Sequence, residues 1–479
     1  MKTTDASGSG PQTPDPGPSS APPWQRRLWL AACLLTLVLF SAFSLAWAVR
    51  HAVLDGPRLS PGQKQALIGL ATFPWMVGQS LQQLRSSLAN RPDALLLRRS
   101  DVEHPAWSRR FPAPEDPGYL LLSTVDASAA ASIVKLVRIA DGQELARWTP
   151  HWPQLYTRLS SKPFAVVGDP AAARAIHPLL LPDGDIVFNT THGLVRLPAC
   201  GDTPRWVLDE HIHHSVELAD DGTLWVPGVA TDGLASNPWL QAQVQDDALV
   251  QVSQDGRVLR RISVIGLLRR HGLQAMAVGQ WGGVPRSDPI HLNQITPALT
   301  DGQHWKRGDL LVSMRNTSTV LLYRPSSDEI LWHRSGPWLN QHDARFVGSD
   351  RISVFDNHAV VAAPPEPRAF LQDSDRSRIF LVNLAKGTLE QPYARALEQV
   401  RLRSPSQGRS LVLDNGDVFV EDTPNGRLMR LSRDAQVWAW VNDYDSEHIG
   451  LLNWSRYLQP AEVQAALAAL AQRHCKVGR

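Results

Sequence analysis

The sequence predicts an all-β protein, a six-bladed β-propeller with an N-terminal transmembrane helix, a juxtamembrane helix and a short C-terminal helix. A unit of short β-prone segments joined by Asp-Gly or Asn-Gly turns recurs from Gly118 onward, and such turns connect antiparallel hairpins. A repeat of about 40–50 residues with four strands is the propeller pattern. The 17 tryptophans agree with it, because large apolar rings pack well between blades. The clearest copies begin at His177, His214, His291, His342 and Ser410, after a weaker copy at Gly118.

The N-terminal segments predict a single-pass anchor in the inner membrane. Residues 1–27 are expected to form a disordered cytoplasmic tail, since Ser, Pro, Gly and Thr dominate there. Residues 28–49 carry no charge and are long enough to cross the hydrocarbon layer as a helix. Arg26 and Arg27 precede this helix, which places the following domain on the periplasmic or extracellular side. Removal as a signal peptide is the alternative, because Ala46-Trp47-Ala48 fits a cleavage site.

The remaining chain divides into three further segments. Residues 60–90 are predicted to form the juxtamembrane helix, because apolar residues recur there at spacings of three and four. Residues 118–457 form the predicted propeller domain, and residues 460–474 a helix that begins with Pro460 in its first turn.

Composition narrows the classes of function. The net charge is +2 and no broad basic run occurs, so we expect no nucleic-acid partner. The three cysteines form no Cys-x-x-Cys pair, which argues against a cysteine-bound zinc site. Cys200 and Cys475 could form a disulfide if the domain is exported.

Histidines occupy the same place in successive repeats. His214, His291 and His342 each precede a predicted strand, where an innermost propeller strand begins beside the central channel. A single histidine at a strand start is more often structural. Three in register favour imidazoles that meet at one mouth, although a repeat ancestor that carried a structural histidine would give the same pattern. His177 has the equivalent place in another repeat and is interpreted as structural because Pro178 follows it.

An arginine and an asparagine complete the predicted site. Arg315 ends a buried-looking strand, where its planar guanidinium could bind a phosphate, sulfate or carboxylate. Asn293 should share the strand face of His291 and could orient an oxyanion.

Two kinds of chemistry fit such a set. Several imidazoles could bind zinc or copper, but only His211 and His213 have a common ligand spacing, so no metal or other cofactor is predicted. Transfer of an anionic group is the other: one imidazole attacks, Arg315 stabilises the equatorial oxygens, and a second imidazole acts as general acid.

The motifs around these residues resemble the arylsulfotransferase family of bacterial, PAPS-independent enzymes. The resemblance covers roughly residues 118–453, and it is carried by HHSVELADDG, DPIHLNQI, VSMRNTSTV, NQHDARF and FDNH. It implies an exported six-bladed propeller that moves a sulfuryl group from an aryl sulfate to a phenol. His342 then matches the transiently sulfated histidine, Arg315 the sulfate-binding arginine, and His214 and His291 two histidines of the central channel. Asn293 matches the family's His-x-Asn pattern, whereas the predicted anchor departs from members that are released as soluble proteins.

The implied mechanism is ping-pong, with phenolate departure assisted by His214 or His291. Trp281, Trp305 and Trp338 could line an aromatic pocket, although core packing is the favoured role for each. Two alternatives remain at this stage. The first is a non-catalytic propeller that acts as an envelope scaffold or ligand-binding module, and the second is a histidine-bound metal oxidase.

Overall fold

A computed structural model describes most of the chain as two compact units, residues 1–85 and 86–479. The described residues are 23–53, 60, 62–63, 66–67, 92–99, 111–159, 173–190, 192–199, 201–230, 244–279, 287–361, 368–372 and 375–473.

In the described part of the first unit the long helix is α1 (Pro23–Val53). Its stretch from Arg27 to Arg50 is long and apolar enough to cross a membrane, and the same properties fit a signal sequence near the N-terminus. Apolar side chains are exposed along this stretch, as for Trp29 at 74% and Phe43 at 72%. A helix that is apolar on every side and exposed requires a non-aqueous environment or a partner.

Several expectations fall outside the described residues. They are residues 1–22 of the predicted disordered tail, the Cys200–Cys475 pair, Trp281 and nearly all of the helix predicted over residues 60–90, whereas residues 23–27 of that tail belong to α1. At the start of that segment Ser60 and Gln63 cap each other, with backbone N–H groups donating to the opposite side chains at 2.9 and 3.4 Å.

The second unit contains six four-stranded antiparallel sheets, which confirms the predicted propeller. We call each sheet a blade and number the blades 1 to 6. Within each blade the strands are given in order from the innermost to the outermost. Blade 1 consists of β28 (Arg456–Leu458), β2 (Tyr119–Asp126), β3 (Ala131–Arg138) and β4 (Glu144–Trp148). Blade 2 consists of β5 (Ile176–Leu180), β6 (Ile186–Asn189), β7 (Leu194–Leu197) and β8 (Trp206–Leu208). Blade 3 consists of β9 (Glu217–Leu218), β10 (Leu224–Val229), β11 (Asp247–Val252) and β12 (Val258–Ser263).

The other three blades have the same order. Blade 4 consists of β13 (Leu292–Pro297), β14 (Leu310–Met314), β15 (Thr319–Arg324) and β16 (Glu329–Ser335). Blade 5 consists of β17 (Asp343–Val347), β18 (Arg351–Asp356), β21 (Arg378–Asn383) and β22 (Leu389–Glu390). Blade 6 consists of β23 (Arg409–Val412), β24 (Val418–Asp422), β25 (Arg427–Leu431) and β26 (Gln436–Val441).

Short elements decorate the ring. Two two-stranded sheets lie outside the blades. One pairs β1 (Leu96–Arg98) with β27 (His448–Gly450), and the other pairs β19 (Ala359–Val361) with β20 (Arg368–Phe370). The remaining helices are α2 (Trp152–Leu159), α3 (Val264–Arg270), α4 (Ala275–Val278), α5 (Ala394–Gln399) and the predicted C-terminal helix α6 (Pro460–Gln472), with short 3-10 turns at Asp93–Leu95 and Thr423–Asn425.

Turn chemistry fixes the hairpins between the first two strands of several blades. Gly184, Gly222 and Gly416 have φ values of 83°, 79° and 85°, a conformation that glycine adopts without a Cβ clash. Asp221 supports its turn by accepting a hydrogen bond from the backbone N–H of Thr223 at 2.9 Å. The Asp-Gly and Asn-Gly dipeptides are therefore where the chain reverses, as the sequence predicts.

The ring closes because the end of the chain returns to its beginning. β28 pairs with β2, opposing Leu458 to Tyr119 and Arg456 to Leu121, so blade 1 takes its innermost strand from the C-terminal side. A shared apolar cluster also joins blade 6 to blade 1, where Trp438 is fully buried beside Leu120. Each other neighbouring pair of blades shares such a cluster, so the apolar core lies between the sheets.

Candidate functional site

The three predicted histidines have equivalent positions in blades 3, 4 and 5. Each stands three residues before a polar side chain, and these side chains are Glu217, Gln294 and Arg345. Gln294 and Arg345 both donate to Glu217 Oε1, each at 2.9 Å, so the innermost strands converge at this carboxylate. The convergence places His214, His291 and His342 in one register around the central channel.

Strained backbone accompanies this position in several blades. His214 and His291 have φ values of 57° and 52°, and His177 and Trp454 have 49° and 61° in blades 2 and 1. A non-glycine residue in the left-handed region is uncommon, and such strain is concentrated at functional sites. The mouth of the channel is therefore lined by residues that the surrounding sheets hold in place.

The imidazole rings at this mouth are in contact, and the neighbours of His214 influence its pKa. The ring centroids of His214 and His291 lie 4.9 Å apart with the planes at 73°. Burial lowers the pKa of His214 well below 6.5, and the neighbouring imidazoles His213, His291, His342 and His177 lower it further. His214 is therefore a neutral imidazole near pH 7.

His342 is held by a residue that the sequence analysis did not assign. Its Nδ1 lies 2.6 Å from Oδ1 of Asn357. The amide nitrogen of Asn357 donates to the backbone carbonyls of Ser404 and Gln407 at 2.8 and 2.7 Å, which fixes the orientation of the amide. Because Oδ1 can only accept, His342 carries its proton on Nδ1, and Nε2 keeps its lone pair.

His291 has a comparable support. Its Nδ1 lies 2.5 Å from Oδ2 of Asp288, three residues earlier, and its backbone N–H donates to Oδ1 of the same carboxylate at 3.0 Å. The carboxylate accepts the Nδ1 proton, so Nε2 of His291 is again the nitrogen with a lone pair.

Arg315 and Asn293 flank these histidines. Arg315 is 6% exposed, and its backbone N–H donates to the carbonyl of His291 at 3.1 Å, so the two residues are cross-strand neighbours. Its guanidinium donates to Oδ1 of Asn316 at 3.2 Å. Asn293 donates to the backbone carbonyl of Gln341, next to His342, at 3.2 Å.

A buried ionic cluster lies further along the innermost strands. Glu217 accepts from Arg456 at 2.8 Å and from Arg345 at 2.9 Å, and Arg409 lies 3.7 Å away. Burial would raise the pKa of Glu217, but the three guanidiniums hold it well below 4.5. Blades 1, 3, 5 and 6 are thereby joined at one carboxylate, which fixes the strands that carry the histidines.

The aromatic residues nearest the site differ from those proposed from the sequence. Trp305 and Trp338 are each 2% exposed and belong to apolar clusters between strands, so the favoured packing role is observed. Trp454 instead stacks on His177 at 4.6 Å, and its ring centroid lies 6.4 Å from that of His214.

In the described part of the chain, no group of three or more His, Cys, Asp or Glu residues could hold a metal ion. The imidazoles of His342 and His291 instead direct Nδ1 toward Asn357 and Asp288, and the buried Arg315 is the cross-strand neighbour of His291. That arrangement suits attack on, and proton exchange with, an oxyanion ester.

The comparison with known families decides the assignment. The profile described as Arylsulfotransferase (ASST) matches residues 177–442, which is more than half of the 479 residues. The chain belongs to the arylsulfotransferase family. The matched region begins at blade 2 and ends after the last strand of blade 6, so it contains every site residue named above except Trp454 and Arg456.

No curated protein matches this member of the arylsulfotransferase family. Among solved structures it is similar to a crystal structure of a protein of unknown function from Bacteroides caccae, with 13% identity and a TM-score of 0.43. That alignment covers 72% of this chain and 100% of the other.

Proposed function

We propose that this protein transfers a sulfuryl group from an aryl sulfate ester to a phenol through a sulfo-histidine at His342. The observation that carries the proposal is the hydrogen bond from His342 Nδ1 to Asn357 Oδ1, 2.6 Å long, because it leaves Nε2 as a fixed nucleophile. Membership of the arylsulfotransferase family supports the choice of reaction.

In the first half-reaction the Nε2 lone pair of His342 attacks the sulfur of the aryl sulfate. The bond between sulfur and the aryl oxygen breaks, and the phenolate leaves with the bonding electrons and takes up a proton. In the second half-reaction the oxygen of an acceptor phenol attacks the same sulfur and loses its proton. The N–S bond breaks, and its electrons return to Nε2 of His342.

Arg315 and Asn293 serve the oxygens of the transferring group. A guanidinium stabilises the charge on equatorial sulfuryl oxygens with two parallel N–H donors, which a buried position strengthens. Asn293 uses one amide hydrogen to hold the carbonyl of Gln341, and its second amide hydrogen is available for a sulfuryl oxygen.

His214 and His291 exchange protons with the aryl oxygens. Their rings lie next to each other, with centroids 4.9 Å apart, so they form one wall of the site. A positioned imidazole contributes about 10²–10⁴-fold to such a step. No cofactor takes part, and the partners are a small aryl sulfate and a phenol.

The placement in the cell follows from α1. Arg26 and Arg27 at its start favour a cytoplasmic N-terminus, so we propose a single-pass inner-membrane anchor with the propeller on the periplasmic or extracellular side. Cleavage after Ala48 would release the same domain into that compartment.

The test uses the purified full chain in detergent, a chromogenic aryl sulfate, and a phenolic acceptor that is present or absent. We expect steady chromophore release only with the acceptor, and loss of release in His342→Ala and Arg315→Ala. A folded protein that turns over none of the donor and acceptor pairs would instead support the non-catalytic scaffold.

A further inference from the structure

A second histidine stands behind His214 and connects it to a buried carboxylate. Nδ1 of His213 lies 2.8 Å from Nδ1 of His214, and Nε2 of His213 lies 3.4 Å from Oδ1 of Asp247. We propose that Asp247, His213 and His214 form a proton relay that serves the aryl oxygen in both half-reactions. The inference rests on the sulfuryl transfer proposed above and assigns His213 and Asp247 a part in it.

Asp247 is built into the fold as an oriented anion. It is fully buried at the start of β11, and Gln245 donates to its Oδ1 at 2.8 Å. The backbone N–H of Leu292, the residue after His291, donates to its Oδ2 at 2.6 Å. Burial would raise the pKa of Asp247, but the hydrogen bonds and the attraction of His213 hold it below its usual value.

The carboxylate determines where the imidazole protons lie. A bare Nε2 on His213 would place a lone pair against the negative Oδ1 of Asp247, so that nitrogen carries the proton. Nδ1 of His213 then has only a lone pair, and the short contact with His214 requires a proton on Nδ1 of His214. Nε2 of His214 is left unprotonated, as a base for a phenolic O–H needs.

The surroundings also decide which imidazole holds a positive charge. Four other imidazoles face His214 and oppose its protonation, namely those of His177, His213, His291 and His342. His213 is 7% exposed and has the Asp247 carboxylate as its charged neighbour. When His214 accepts a proton, the positive charge is therefore most stable on the neighbouring His213, next to the Asp247 carboxylate.

The steps balance over one turnover. In the second half-reaction the acceptor phenol gives its proton to Nε2 of His214, and the Nδ1 proton of His214 passes to Nδ1 of His213. The enzyme then holds one additional proton as a His213 imidazolium next to Asp247. In the next first half-reaction that proton returns through His214 to the departing aryl oxygen, so both phenols leave or enter as neutral molecules.

Two variants separate a relay from a purely structural contact. His213→Asn keeps an acceptor at the position of Nδ1 for His214, but it cannot accept a proton and pass the charge to Asp247. Asp247→Asn keeps the size of the side chain and removes the charge. A relay helps most where the leaving oxygen needs a proton, so the acidity of the leaving phenol is the variable to change.

We would measure the first half-reaction of the full chain with a series from 4-nitrophenyl sulfate to unsubstituted phenyl sulfate. Both variants should lose about 10²–10⁴-fold in rate with phenyl sulfate and little with 4-nitrophenyl sulfate, whose phenolate leaves without a proton. Equal losses with every donor would mean that Asp247 and His213 only position the strands, and would overturn the relay.

A second measurement does not depend on turnover. Imidazole ¹⁵N NMR of the histidine-labelled full chain, with His213→Asn to assign the signals, reports which nitrogen of each ring is protonated. With the relay neutral, at the alkaline end of a pH series, we expect protons on Nε2 of His213 and Nδ1 of His214. The proton added as the pH is lowered should protonate both nitrogens of His213 and move the His214 proton to Nε2. A proton on Nε2 of His214 while His213 is neutral would refute the relay, whereas inactivity of the wild type with all donors would refute only the sulfuryl transfer.

Discussion

Replacement of Asn357 tests how the fold prepares His342. Asn357→Ala removes the acceptor that lies 2.6 Å from His342 Nδ1, and it removes the two donors to the carbonyls of Ser404 and Gln407. The substitution touches no atom that reacts, so any effect on the chemical step must come through the tautomer and orientation of His342.

The size of the effect follows from these contacts. A hydrogen bond that biases the tautomer by about 1.4–2.8 kcal/mol changes the ratio of the two tautomers about 10- to 100-fold, and its loss lowers the population of the dominant nucleophilic form a few-fold. The two carbonyls that lose a donor each lower the free energy of unfolding by about 1–3 kcal/mol. The ring also loses its fixed orientation, so we expect sulfation of His342 to slow by about 10-fold in a protein that is also less stable.

The assay is a single-turnover burst of chromophore from an aryl sulfate without acceptor, recorded well below the melting temperature of the variant. Asn442→Ala is the matched control, because Asn442 is 5% exposed and donates to the backbone carbonyls of Val125 and Leu451. If Asn357→Ala and Asn442→Ala give the same burst rate, the tautomer argument is wrong.

Three further outcomes are expected. Arg315→Lys keeps the charge but loses the planar fork, so kcat/KM for aryl sulfates should fall about 10- to 100-fold in steady-state assays; an unchanged value would remove Arg315 from the site. Glu217→Gln removes the carboxylate that three buried guanidiniums share, and of these Arg345 keeps a contact with Asp343; it should lower the free energy of unfolding by about 3–5 kcal/mol in denaturant titrations, and a loss below about 1 kcal/mol would contradict this. The buried histidines His177 and His214 have lowered pKa values in the folded protein, so the unfolded chain binds their protons first and stability should fall as the pH drops below 6.5. His214→Gln should make the melting temperature less sensitive to pH in that range, and an unchanged slope would argue against a neutral, buried His214.

The propeller and three site histidines could be predicted because their signals are local. A unit such as that of blade 3 carries its own turn, at Asp221-Gly222, and the units of blades 3, 4 and 5 each place a histidine ahead of the innermost strand. Because the same pattern recurs in several repeats, it predicts that His214, His291 and His342 occupy equivalent positions in their blades. Turn chemistry and alternation are properties of neighbouring residues, so the sequence displays them directly.

The supports of the site could not be predicted in the same way. The Glu217–Arg456 contact joins residues 239 positions apart, and it exists only because β28 completes blade 1. Residues 118–457 were predicted to form the propeller, but no local pattern marks Arg456–Leu458 as the innermost strand of blade 1. Asn357 directly follows β18, where no repeat pattern marks it, although the tandem His213-His214 was a visible sign of a paired imidazole.

The central claim is that His342 becomes sulfated. The most direct test incubates the full chain with an aryl sulfate and no acceptor, quenches the mixture under alkaline conditions, and analyses the peptides by mass spectrometry. We expect the added mass of one SO₃ group on the peptide that contains His342, its loss when a phenol is added before the quench, and its absence in His342→Ala. Acceptor-dependent transfer without any such label on His342, or with the label on another residue, would contradict the account.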